Sequence, residues 1–279
     1  GRASAYAVVA AMILWRATFP RFLESIGLVM LFAVGVTMLA VSIEKAAQPL
    51  WVLLSELRFQ TLTILVWLSP LITALGVGLT CLRQRNTGEA RALACAGFGV
   101  VHMFPMALLV GLMMGVLGLM VAEWLIPLVA ESEMPTWVWT KDGVVRTDDG
   151  LLIPADLMGS PRYVGELDAS DVHPRLAPLH ALTSLNSAAA ATELWARPSR
   201  AIACIGFATL GMVFGRFRQG LIWVMVVCGV LMLIEAICWG LGAQNELIPW
   251  IAGSVAAWGW IPPSVIAWRY SFTSNQCPS

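Results

Sequence analysis

Glu89-Ala90-Arg91-Ala92-Leu93-Ala94-Cys95-Ala96-Gly97 is the stretch from which the fold is read. It opens on a carboxylate and continues in small residues. Before it lies Phe59–Leu82, with no charged side chain; after it lies Phe98–Ala122, with none either. About 20 apolar residues cross a hydrocarbon core of about 30 Å, so each flank is long enough to span a bilayer. The stretch between them is therefore a short connector at a membrane face. Arg83, Arg85 and Arg91 surround it.

Composition agrees with that reading. Of the 279 residues, 58% are hydrophobic and 12% charged, and the mean hydropathy is +0.77. Soluble domains carry about 25% charged residues. The formal net charge is zero, which offers no electrostatic argument for nucleic acid. The six cysteines are Cys81, Cys95, Cys204, Cys228, Cys238 and Cys277. None forms a C-x-x-C pair, so they read as small buried hydrophobes and not as a metal or disulfide set. Ala5–Leu14 is a short apolar patch between Arg2 and Arg16, read as a trimmed start or an interfacial helix and not as a cleaved signal peptide.

Working outward, the pattern predicts an all-α membrane protein of six transmembrane helices (3+3). The expected spans are 25–43, 59–82, 98–122, 201–215, 221–241 and 247–268. The fourth is the weakest: it lies between Arg200 and Arg216 and needs snorkelling arginines or an apolar lead-in to cross. Six crossings put Arg16 and Arg21, then Arg83, Arg85 and Arg91, then Arg216 and Arg218, then Arg269 on one side. The positive-inside rule makes that side, with both termini, cytoplasmic. The expected organisation is residues 1–130 for spans one to three, with a cytoplasmic connector helix at 84–98. Residues 131–178 form a small β insertion on the opposite face, and 179–279 carry spans four to six. Within the insertion, Trp137-Val138-Trp139-Thr140, Lys141-Asp142-Gly143 and Val144-Val145-Arg146 read as a hairpin with a D-G turn, and a second D-G stands at Asp149-Gly150.

Several motifs stand at the ends of these spans: Glu89–Gly97 itself, Glu123-Trp124-Leu125-Ile126-Pro127, and Glu193-Leu194-Trp195-Ala196-Arg197-Pro198. Further along are Phe214-Gly215-Arg216-Phe217-Arg218-Gln219-Gly220, Asn245-Glu246-Leu247-Ile248-Pro249-Trp250 and Trp260-Ile261-Pro262-Pro263. In this order the chain resembles the LptF/LptG (YjgP/YjgQ) family, the permeases of the lipopolysaccharide-transport ABC exporter, and its second half is closer to the LptG member. The resemblance implies that Glu89, Arg91, Leu93, Ala96 and Gly97 belong to a coupling helix that docks into a cytoplasmic ATPase subunit, present as a dimer. It also implies a second permease chain, a membrane lipid as cargo, an inner-membrane location and a lateral gate between spans one and five. One departure is large. The family carries a full β-jellyroll after span three. Here about 40 residues are available for strands, and eight strands with their turns need roughly twice that.

The candidate residues follow from the same layout. Lys45, beside Glu44 at the outer end of span one, suits a phosphate-bearing head group or an interfacial charge. Glu235 lies within span five, where an ionisable group marks a pathway or a paired contact with a neighbouring subunit. His102 reads as a hydrogen-bonded helix contact. Gly111, Gly115 and Gly118 permit close helix packing, inside the bundle or at a dimer seam. Trp124, Trp137, Trp139, Trp250, Trp258, Trp260 and Trp268 read mostly as an aromatic belt. A P-loop needs G-x-x-x-x-G-K-[ST], and neither Lys45 nor Lys141 has that context, so any ATP hydrolysis belongs to a partner. No metal, cofactor or catalytic constellation is expected. A second reading makes the chain an accessory subunit of a larger membrane complex. A secondary transporter is the third, and the lack of an internal repeat argues against it.

Overall fold

The computed structural model describes residues 2–44, 50–95, 100–126, 138–139, 144–146, 151–154, 162–163, 182–183, 187–217 and 219–273. Helix dominates. The first helix, α1 (Arg2–Glu44), runs for 43 residues straight through Pro20. The expected separation between an interfacial Ala5–Leu14 segment and span one is absent. A proline costs one backbone bond and some bending, which a long apolar helix tolerates. Helix α2 (Leu50–Asn86) likewise continues through Pro70. Gly88, at φ +77, then reverses the chain into α3 (Glu89–Cys95). Only glycine adopts that left-handed geometry without cost, so the short helix is set off sharply from α2. Helix α4 (Val100–Met120) passes into a π-helical turn, Val121–Leu125.

Four strands follow: β1 (Val138–Trp139), β2 (Val144–Arg146), β3 (Leu151–Pro154) and β4 (Arg162–Tyr163). They form an antiparallel meander in the order β1-β2-β3-β4. Val138 pairs with Arg146, Val145 with Ile153, and Leu152 with Arg162. The turn residues Lys141, Asp142, Gly143, Asp149 and Gly150 lie outside the described residues.

Helix α5 (Ala188–Phe214) begins at Ser187, whose hydroxyl accepts from the Ala190 amide at 3.1 Å. The side chain thereby satisfies one of the four amides that a helix start leaves open. Ser187→Ala is expected to cost about 1 kcal/mol, read as a melting temperature roughly 2–4 °C lower in detergent. Helices α6 (Gly220–Ala243), α7 (Pro249–Gly259) and α8 (Ile261–Thr273) complete the chain. The expected sixth span is thus two helices. Pro262 and Pro263 supply no amide, which interrupts the hydrogen-bond ladder around Trp260, although Trp260 itself keeps helical dihedrals (φ −79, ψ −17).

Among the described residues, four segments are long and apolar enough to cross a membrane: Trp15–Ile43, Gln60–Asn86, His102–Leu125 and Gly220–Ala243. They mark the chain as a membrane protein. α5 lies at the centre and packs against α2, α4, α6, α7 and α8. One face of the core joins Phe22 and Ile26 of α1, Val77 of α2, Met106 and Val110 of α4, and Met212 of α5. The other joins Phe207 and Leu210 of α5 to Val224, Cys228 and Met232 of α6.

Glycine sets the spacing around α5. A Cβ at Gly211 would run into the Ala74 carbonyl oxygen, and one at Gly215 would lie 2.6 Å from the Gly78 oxygen. On the other side, a Cβ at Gly111 would lie 2.7 Å from the Ile205 Cα, and one at Gly115 would meet the Ala201 oxygen. These seams are used within the chain, between α5 and its neighbours α2 and α4. The expected belt residue Trp260 also turns inward: its ring fills the notch over Gly206, where any side chain would overlap it. Trp124, Trp250 and Trp258 are exposed.

Candidate functional site

Two places gather the charged residues. The first is buried. Glu193, Arg197 and Arg200 stand at i, i+4 and i+7 on α5, a spacing that puts all three on one helical face. Arg197 reaches Glu123 Oε1 through Nη1 at 2.7 Å and Glu193 Oε1 through Nε at 3.3 Å. Arg200 reaches Glu193 Oε1 through Nη1 at 3.1 Å and Glu235 Oε1 through Nε at 2.5 Å. The Trp239 indole donates to Glu193 Oε2 at 2.8 Å. Side-chain exposures run from 2% for Arg197 to 19% for Glu123.

This chain of ion pairs ties together α4, α5 and α6. Glu123 comes from the π-helical turn, Glu193, Arg197 and Arg200 from α5, and Glu235 and Trp239 from α6. Buried charge is tolerated only when paired and hydrogen-bonded. Each guanidinium here meets two carboxylates. No nucleophile and base are juxtaposed in it, so its chemistry is cohesion.

The second place is α3. Glu89 pairs with Arg21 of α1, both about half exposed. Arg83 of α2 pairs with Glu24 of α1 at 3.3 Å. Leu93 packs against the core that α1 contributes to, while Arg91 and Cys95 are exposed. Arg85 donates to the Arg216 carbonyl at 3.1 Å, joining the α2 end to the α5–α6 loop. Arg21, Arg83, Arg85, Glu89, Arg91 and Arg216 thus gather at one end of the bundle.

The expected site residues divide accordingly. Glu89, Arg91 and Leu93 are found on α3. Ala96 and Gly97, and Lys45 as well, lie outside the described residues. Glu235 points at Arg200 of the same chain, not at α1. His102 is exposed at the start of α4.

Arg200 is the residue whose expected role changes most. As a flank of span four it is expected either to snorkel or to follow an apolar lead-in; the helix extends upstream to Ala188, and Arg200 is 6% exposed and faces inward. The available signal was the Glu193, Arg197, Arg200 spacing, which forms an internal ladder that two acids from other elements, Glu123 and Glu235, complete. The motifs that begin at Glu123 and Glu193 were separately visible, but that Glu123 and Arg197 meet across 74 residues is a tertiary fact. Among the described residues no cluster of histidine, cysteine and carboxylate is placed to hold a metal ion. No protein-family model matches the chain, and no curated protein matches it.

Proposed function

We propose that the chain is a permease subunit of an ABC-type lipid exporter of the inner membrane, acting on a lipopolysaccharide-like amphiphile. It crosses six times with both termini cytoplasmic, works beside a second permease chain, and takes its energy from an ATPase dimer docked on α3. The observation that carries this reading is the mounting of α3. The Gly88 turn sets the helix apart from α2, and the Arg21–Glu89 pair binds it to α1. Exposed Arg91 and Cys95 remain for a partner.

A push on α3 therefore passes directly to α1. That helix packs mainly on α2, whereas α4, α5 and α6 are held together by the buried ion pairs. An effector that moves one helix against a clamped group has the mechanical form of a gate. The six-span count draws support from α5, whose 27 residues extend about 40 Å. Its charges are paired internally, the condition under which ionisable groups persist at membrane depth. α7 and α8 together serve as the sixth span. This count places the Arg21, Arg83, Arg91 and Arg216 end on the cytoplasmic side and the strands on the opposite face.

Affinity purification of the tagged chain from its native membrane is expected to recover a P-loop ATPase. Arg91→Glu should lower that recovery at least tenfold with an unchanged melting curve. Arg21→Gln should keep the ATPase bound but reduce ATP-driven lipid movement. Recovery of a stable assembly without any nucleotide-binding subunit would sink the transport reading and favour the accessory-subunit reading, which the short 131–178 segment motivates.

A further inference from the structure

One donor in the buried ion-pair chain is left over. Arg200 Nε serves Glu235 and Nη1 serves Glu193, but Nη2 meets no acceptor among the described residues, although the residue is only 6% exposed. A buried donor without a partner costs about as much as the desolvation of the group, and more when it is charged. Native interiors rarely leave such a group alone.

Arg200 also lines a cavity of about 10 Å³ where α2, α4 and α5 cross. Ser69, Gly115, Gly118, Ala122 and Arg197 complete most of its wall. That volume is the size of a single water. Ser69 donates its hydroxyl proton to the Val66 carbonyl at 2.8 Å and meets the Cys204 thiol at 3.5 Å, which leaves one lone pair of its oxygen able to accept from a guest. Ala122 belongs to the π-helical turn, and Gly118 to the α-helical turn just before it. A guest therefore finds a charged donor and a hydroxyl acceptor, two of the two to four partners that a buried water uses.

We propose that this cavity is a binding site for one water molecule, which accepts from Arg200 Nη2 and bridges α5 to α2 and α4. Charge selects water over the other small guests. Among the described residues three carboxylates, Glu123, Glu193 and Glu235, face two guanidiniums, Arg197 and Arg200, so these five groups together carry a net charge of −1 when ionised. A halide would raise that to −2 in a buried setting. A cation would meet guanidinium in the cavity wall. A neutral molecule that both accepts and donates fits the size of the cavity and the Arg200 and Ser69 side chains in its mostly apolar wall. The water gives Arg200 Nη2 an acceptor and makes the crossing of three helices a hydrogen-bonded joint.

The test is a crystal structure of the whole chain in lipid, at a resolution that shows ordered waters, with a parallel bromide soak. One peak is expected at about 2.7–3.2 Å from Arg200 Nη2, with no anomalous signal there. A bromide signal at that place would make it an anion site and overturn the proposal, as would an ordered cavity with no peak. Gly118→Ala supplies the second arm. Its methyl would stand 3.4 Å from Ser69 Oγ and take up the room. The peak is expected to vanish in this variant, and the melting temperature to fall roughly 3–6 °C below that of Gly229→Ala. Gly229 has nothing within 4 Å and reports helix propensity alone. Equal melting of the two variants would show that Arg200 needs no guest.

Discussion

Arg200→Met is expected to be the most damaging single substitution in the buried cluster. Removing one member of a buried ion pair leaves its partners charged and unmatched, at a cost of about 3–5 kcal/mol. Here Glu235 would lose its Nε contact and Glu193 its Nη1 contact together. The cluster's net charge would move from −1 to −2. In a thermal melt of the detergent-purified chain the midpoint should fall by roughly 10 °C. The double variant Arg200→Met/Glu235→Leu returns the charge to −1 and replaces a buried pair by apolar volume, a change often close to neutral. It should therefore melt well above the single variant. Double-variant losses equal to the sum of the two single losses would show that the pair is not coupled, and that the cluster does not clamp α5 to α6.

Gly211→Val is expected to have the second large effect, for a reason that involves no charge. Gly211 and Gly215 on α5 face Ala74 and Gly78 on α2, four residues apart on both helices, with backbone oxygens where side chains would go. Small residues at this spacing let helix backbones approach closely. A β-branched side chain at Gly211 would separate α2 from α5 at the middle of their shared face. Overpacking costs typically 1–3 kcal/mol, and a clash with backbone cannot be relieved by a rotamer change, so about 3 kcal/mol or more is expected. The yield of monodisperse protein and its melting temperature should both drop. Gly229→Val, in open space, carries the same propensity penalty without the clash. Indistinguishable melting of these two variants would refute the close α2–α5 seam.

Much of the helical layout was legible from hydropathy. Phe59–Leu82 lies within α2, the described part of the third run, 100–122, lies in α4 and the π-helical turn that follows, and the segment from Leu221 lies in α6, because an uncharged run of about 20 residues has few other uses. The connector helix was legible too, since Gly88 and Glu89 mark a turn followed by a helix start. Element ends were less legible. Pro20 and Pro70 were absorbed by long helices, whereas Pro262 and Pro263 coincide with a break; the difference lies in the surrounding packing. The fourth helix was the hardest. Charges at Glu193, Arg197 and Arg200 lower its hydropathy and interrupt the apolar run of a helix that lies at the centre of the bundle.

Composition and spacing alone settle that the chain is built from long apolar helices, that α3 is a short connector between two of them, and that glycines stand at helix-packing intervals. These are local properties, set by hydropathy, turn chemistry and period. Tertiary structure alone decides what the charges do. Glu235 gives no sign in its own helix that Arg200 answers it, and Glu123 none that Arg197 does. Glu89 is bound to Arg21 and leaves Arg91 as the exposed charge on its helix. The reason is physical: a charge inside an apolar bundle is stable only beside its counter-charge, and which helix brings that counter-charge is set by the crossing of helices far apart in the chain.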